Sequence, residues 1–314
     1  MKRHPNLRRA LFGLCLVPLL TAAQTGTRNF RTEPDSPIVV TGQRPTREEA
    51  HARAVTFVRQ IGVARGDTSA ARFIDPVCPR VMGIAEPYAG MVRTRMRAIA
   101  QAAGILVGRE GCQPNISVSF VGDASALMQE IARRSPTRFN EIPRDEREAM
   151  VNGESPVRWW YLTETRTRYQ MRHAPQSIQT AAGGSEGGGS SSVTSSSLDV
   201  DALSHYDAGS NVSNAVNRAI IDANVVIDLD GVEGRSLQAV AAYAAFVAFS
   251  EVRRSDPPPA GSILGMFGAE PQADALTDWD LAFLRALYAI PLDRAARRHR
   301  GMLVRDMVDF QTRG

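Results

Sequence analysis

The 314-residue chain carries 37 Lys+Arg against 33 Asp+Glu, a formal net charge of +4. Lys2, Arg3, Arg8 and Arg9 all lie in the first nine residues, so loss of the N-terminal segment leaves 33 of each sign, without the general electrostatic pull toward nucleic acid or anionic lipid. Lys2 is the only lysine, which excludes from the mature chain a Schiff-base lysine, a Ser-Lys nucleophile pair and the lysine of a phosphate-binding loop.

The basic stretch from Lys2 to Arg9 precedes the apolar run Ala10 to Leu20, and Thr21-Ala22-Ala23 supplies the small residues a signal peptidase needs. Residues 1–23 are therefore expected to be a signal peptide, with a periplasmic or secreted mature chain that begins at Gln24. A run of about ten apolar residues is too short to stay behind as an anchor, so no transmembrane segment is expected after cleavage. Cys15 leaves with the signal; Leu14 precedes it where a lipoprotein acceptor needs a small residue. Cys78 and Cys112 remain, and two thiols in an oxidising compartment predict one disulfide, the alternative being two separate buried thiols.

Residues 24–37 are polar, with Pro34 and Pro37, and read as a flexible tail. A single α/β domain is expected over 38–314. Ile38-Val39-Val40-Thr41-Gly42-Gln43-Arg44 reads as a short edge strand. It also resembles a segment near the mature N-terminus of TonB-dependent outer-membrane receptors, so a recognition tag for envelope machinery is the alternative. Thr46 and Glu49 form a capping box for a helix whose stripe is Ala54, Val55, Val58 and Ile61, ending at Gly62. Pro87 and Gly104 bracket a second helix. Ile116, Val118 and Phe120 alternate with Ser117 and Ser119 as a half-buried strand, after which Asp123 caps a short helix to Arg134. Val157 to Thr165 is another strand, whose Trp159-Trp160-Tyr161 places one indole in the core and the other over the sheet edge.

Gly183 to Ser197 is almost entirely Gly and Ser, which cannot bury enough apolar surface to offset chain entropy. It predicts a disordered insertion over 176–200 within one domain. Ile221, Ala223, Val225, Ile227 and Leu229 share one face of the clearest strand. Ser236 then caps Leu237 to Val252, a helix with almost no polar face and hence a buried one. Thr277 and Asp280 form a second capping box. Interleaved strands and helices give an α/β (α+β) layered fold.

The succession of strand, buried helix, Ser262-Ile263-Leu264 turn and Leu276-Thr277-Asp278-Trp279-Asp280 helix resembles the catalytic half of zincin-like metalloproteases over about residues 220–290. The whole chain is similar to an uncharacterised family of exported Gram-negative bacterial proteins in which Cys78-Pro79 and Gly111-Cys112-Gln113-Pro114-Asn115 recur. The first resemblance implies a zincin-like layered sheet and helices. It does not carry the activity, because HExxH needs two His and a Glu on one helical face, and Ala239 to Phe246 offers only Ala, Val, Tyr and Phe.

No other residue set points to a chemistry. His51, His173, His205 and His299 are isolated in sequence and read as surface or hydrogen-bonded, with a metal site assembled from distant segments as the alternative. Asp228 and Asp230 share a strand face but end in a turn, where solvation is expected; Glu251 reads as a solvated helix end. The basic run Arg294 to Arg300 reads as one face of a solvated helix. No catalytic, cofactor-binding or metal-ligating residues are predicted. The expected function is non-catalytic binding of an envelope protein or peptide, over an apolar floor formed by Tyr243 and Phe246 or their neighbours. The alternative is a hydrolase or peptidase with a non-standard site. Mass analysis of material exported by a bacterial host should give Gln24 as the first residue; an intact Met1 terminus contradicts the export signal.

Overall fold

The computed structural model describes residues 45–167, 216–254, 257–268 and 273–313. The expected signal, the tail, the 38–44 segment and the 176–200 insertion lie outside the described residues, as do His173 and His205. Seven α-helices are present among the described residues: α1 (Arg47–Ile61), α2 (Glu86–Ala102), α3 (Ala124–Arg134), α4 (Arg144–Asn152), α5 (Leu237–Phe249), α6 (Asp278–Ala289) and α7 (Ala296–Arg313). The strands are β1 (Arg72–Phe73), β2 (Pro79–Met82), β3 (Ile116–Val121), β4 (Val157–Thr167) and β5 (Val216–Asp228).

These strands form one sheet in which β1, β2, β3 and β5 are parallel and β4 is antiparallel. β4 follows one edge of β5 along its length, while β1 and β3 share the other edge, beside Ala219–Ile220 and Ala223–Asp228 respectively. Across its width the sheet therefore reads β2-β3-β5-β4. A bulge interrupts the β4–β5 ladder between Leu162 and Thr163, which pair with Asp222 and Ile220 and skip Ile221. That extra residue switches the alternation. Ile221, which strict alternation puts inside, is 38% exposed, and Ile220 takes its place in the core.

The helices begin where their side chains cap them. Thr46 accepts from the Glu49 amide and Glu49 from the Thr46 amide, and Gly62 ends α1 with φ 75°. Asp123 caps α3 through Ala126, and Ser236 caps α5 through Ala239. Within α1 the inward stripe holds Phe57, and Val55 faces outward. Gly83 follows β2 with φ 87°, where an added Cβ would lie 1.9 Å from the Phe120 carbonyl oxygen, so no other residue fits that turn.

Twelve of the thirteen residues of α5 are buried. The cause is its position: α2 lies beside it, Trp159 of β4 beneath it against Tyr243, and Phe283 of α6 above it against Phe246. Phe57 of α1 continues that stack onto Phe283 and Trp279, and α7 packs on α1 and α6. The opposite sheet face carries a smaller core of Trp160, Val226, Met128, Phe139 and Met150 under α3, α4 and a 3-10 turn, Pro136–Phe139. No helix of the described residues is long and apolar enough to cross a membrane.

Cys78 and Cys112 are joined, with Cα atoms 6.0 Å apart. Asn115 fixes the same corner, accepting from the Cys78 amide at 2.7 Å and donating to the Pro76 carbonyl at 3.1 Å. At Gly108 an added Cβ would approach the Cys112 sulfur to 2.8 Å. The bridge spans 34 positions, and restricting such a loop in the unfolded chain stabilises the fold by roughly 3 to 4 kcal/mol. Replacing both cysteines by serine should lower the unfolding free energy by about 3 kcal/mol in urea titration; an unchanged midpoint contradicts a structural role.

Candidate functional site

β4 organises the region that is open to a ligand. Trp159 and Tyr161 point to the α5 side and Trp160 to the other, so the expected division of the two indoles takes the form of two cores, each Trp buried. The Trp159 indole N–H donates to the Val252 carbonyl at 2.9 Å. The Tyr161 hydroxyl donates to the Val247 carbonyl at 2.6 Å and accepts from the Val252 amide at 3.2 Å. These three bonds hold the C-terminal end of α5 against β4, and with it Arg253 and Arg254. Arg254 stacks over Trp159 at 4.7 Å and donates to the Val157 carbonyl at 2.6 Å. Arg253 donates to Glu146 of α4 at 2.8 Å.

Around this anchor opens a cleft of 420 Å³ whose apolar lining is Trp159, Tyr243, Leu264 and Phe267, with Arg253, Arg254 and Glu146 beside them. Tyr243 meets Trp159 edge-on at 6.2 Å and Phe267 at 5.1 Å. Burial pushes the Tyr243 phenol up to about 12 despite the nearby Arg254 charge, so the hydroxyl keeps its proton at physiological pH. Tyr243 thus lies where an apolar floor is expected. Phe246 does not: it is fully buried beneath, against Phe283. Phe267 belongs to a 3-10 turn, Ile263–Phe267, whose Ser262 cap is locked by Asp280.

A narrow extension of 70 Å³ is lined by Glu141, Glu146, Tyr161, Thr163 and Glu251. Glu251 is not the solvated helix end that its place in the sequence implies. Arg218 of β5 grips it bidentately at 2.7 and 2.9 Å. Burial alone would lower the Arg218 pKa, but the Glu251 hydrogen bonds and charge outweigh it and raise it. Thr163 donates to Glu141 at 2.9 Å. Each of the three carboxylates therefore has a donor.

Between α1 and α7 runs a larger groove of 770 Å³, lined by Val55, Val58 and Val304 and by Arg59, Arg65, Arg253, Arg254 and Arg300. Most of these arginines are already engaged. Arg300 donates to the carbonyls of Ala64 and Gly66, and Arg65 lies 3.8 Å from Glu146.

The remaining sequence candidates resolve into structural roles. Asp228 accepts from the amides of Ala124, Asp230 and Gly231 at 2.9, 3.1 and 3.2 Å, so it ties the end of β5 to the start of α3. His51 is exposed. His299, inside the basic run, is fully buried; its Nδ1 accepts from the Ala70 amide at 3.1 Å and its Nε2 lies 3.0 Å from the Pro291 carbonyl, which fixes the neutral Nε2–H tautomer. Among the described residues, no three of His, Cys, Asp and Glu come together in a way that could hold a metal ion. The arginine pair after α5 and Glu146 on α4 had no role in the sequence pattern. Two consecutive arginines shortly after a helix that is apolar but for Gln238 are a local sign that this helix end faces something polar.

No protein-family model matches the chain, and neither a curated protein nor a solved structure matches it.

His299 generates a pH test. Burial first, then the Arg72 charge, lower its pKa below 6.5, against the Pro291 bond and Asp293. Its contribution to stability is complete above the unfolded value and declines as pH falls below about 6.5 toward the lowered folded value. Asp280 acts oppositely, because burial raises its carboxyl to about 6, so protonation below that pH favours the folded state. The difference between wild type and His299→Gln isolates the histidine. Its size should shrink as pH drops from 7.5 to 5.5, having started at about 2 to 4 kcal/mol in urea titration.

Proposed function

We propose that the protein is an exported, non-catalytic binding protein of the cell envelope, which holds an extended segment of a partner protein in the cleft between Trp159 and Phe267. The observation that carries the reading is the aromatic floor. Trp159, Tyr243 and Phe267 pack edge to face at the base of an open cleft, with two arginines at its side. Such a floor takes an apolar side chain, and the arginines take a carboxylate or carbonyl. Among the described residues β4 pairs only with β5, so its second edge offers main-chain groups to an added strand.

The zincin-like resemblance of residues 220–290 enters this reading as layout. In its support, β5 leads into α5, the 263–267 turn and α6, which pack into one core beside the antiparallel strand β4. In the place of an active helix, α5 bears Ala, Val, Tyr and Phe. A hydrolase with a non-standard site is the second reading, favoured by Glu141, Glu146 and Glu251 on one narrow cleft.

Anisotropy titration against an array of labelled unstructured peptides separates the two. Binding predicts peptide capture that weakens about tenfold in Phe267→Asp, which puts a charge on the floor at a half-exposed position, with no cleavage and no stoichiometric zinc. Capture that is indifferent to Phe267→Asp defeats the proposal. Peptide cleavage that is lost in Glu146→Gln promotes the hydrolase, and chelator-sensitive cleavage with one zinc per chain defeats the non-catalytic reading.

A further inference from the structure

The sheet face opposite α5 is only partly covered, and its open part carries a second, independent site. Arg80 of β2 pairs in register with Ser117 of β3, Ser117 with Asn224 of β5, and Asn224 with Trp160 of β4. One transverse row of the sheet thus presents a guanidinium, a hydroxyl, a carboxamide and an indole on the same face. The next row sets Met82, Ser119 and Val226 on the same face, so the hydroxyl recurs between two apolar side chains. Helix α3 walls one side with Leu127 and Ile131, and Arg138 closes the rim, leaving a cleft of 370 Å³.

Three features distinguish this cleft from ordinary polar surface. First, Trp160 closes its inner end while only 3% exposed, so the sheet row ends on an aromatic ring already held in the smaller core. Phe139 fixes the ring edge-on at 5.3 Å. Second, no carboxylate of the described residues lies within ion-pair distance of Arg80 or Arg138, whereas Glu130, the acid on the cleft wall, is taken up by Arg133 and Arg134. Third, Asn224 donates through its Nδ2 to Asp222, which orients the carboxamide and assigns its oxygen as the acceptor left for a partner.

The site therefore offers cations at its rim, donors and acceptors along its sheet face, an aromatic ring at its inner end and an aliphatic wall. We propose that it binds a monosaccharide-sized anion, a hydroxylated ring bearing one carboxylate or phosphate. Arg80 and Arg138 hold the charged group, Ser117, Ser119 and Asn224 bond ring hydroxyls, and the Trp160 ring closes the inner end. The volume lies within the usual span for small-ligand clefts, roughly 300 to 1,000 Å³, and forked guanidinium pairs are the strong recognition mode for oxyanions.

The test is calorimetric titration of the whole mature protein with four probes: glucuronate, glucose 6-phosphate, neutral glucose and inorganic phosphate. At least one charged sugar should bind with Kd below about 1 mM, and glucose and phosphate about tenfold more weakly or worse. The first two probes separate a carboxylate ligand from a phosphate one. Arg80→Ala with Arg138→Ala, both at exposed positions, should weaken binding at least about tenfold with an unchanged unfolding midpoint. Ser117→Leu, which fills the cleft from β3, should abolish it. The proposal is overturned if neither charged sugar binds, or if binding survives the double arginine variant or Ser117→Leu. It is also overturned if phosphate binds as tightly as glucose 6-phosphate, the outcome of an adventitious ion only.

Discussion

The burial of α5 on every side is the constraint on which the rest of this structure depends. A helix with no polar face cannot lie on a surface, so the chain must supply a layer above it as well as a sheet below. α1, α6 and α7 are that layer, and Phe57, Phe246 and Phe283 are the contacts that join it. The alanines at 241, 244, 245 and 248 are part of the same solution, because small side chains let α2 and the sheet approach the helix axis closely. A larger residue at Ala244, which is fully buried, would displace one of these layers, at a cost of about 1 to 3 kcal/mol or more.

Because α5 is enclosed, its end is where the interior meets solvent. β4 secures that end through main-chain acceptors: Tyr161 bonds the carbonyl of Val247, in the last turn of α5, and Trp159 that of Val252, in the segment just after it. The same aromatics that close the helix then form part of the open cleft. Packing and recognition use one set of rings, so the cleft is rigid where Trp159 and Tyr243 line it. Arg254, stacked on Trp159, is held by the same device.

A chain with one lysine shows what arginine does in place of it. Arg72, Arg235, Arg254, Arg285 and Arg300 donate to the carbonyls of Leu287, Met266, Val157, Ala102 and Gly66 at 2.7, 2.8, 2.6, 2.9 and 2.9 Å. Each ties a loop or helix end to a distant element. A planar fork with five donors can satisfy a carbonyl and still stack on a ring, as Arg72 does on Tyr288 and Arg53 on Trp279. Charge in this protein is therefore largely structural. Arg80 and Arg138 stand out by contrast.

The local sequence determined the helix starts at Thr46, Asp123, Ser236 and Thr277, because a cap needs only residues two or three positions apart. It likewise determined β3 and most of β5 by alternation, β4 by its aromatic run, and the buried character of α5 by composition, and it left Cys78 and Cys112 as the expected pair. β1 and β2 escaped it, being two and four residues long, too short for any period to register. So did α4, whose polar sequence resembles a loop. The rest belongs to the tertiary structure. The bulge that turns Ile221 outward depends on how β4 pairs, and His299 is buried by contacts with Ala70 and Pro291, one of them more than two hundred positions away. Glu251 becomes an ion-pair partner only when β5 brings Arg218 to it. Both clefts are of this kind, since each draws on strands and helices far apart in the chain, and the distances that set their chemistry exist only once the sheet has chosen its order.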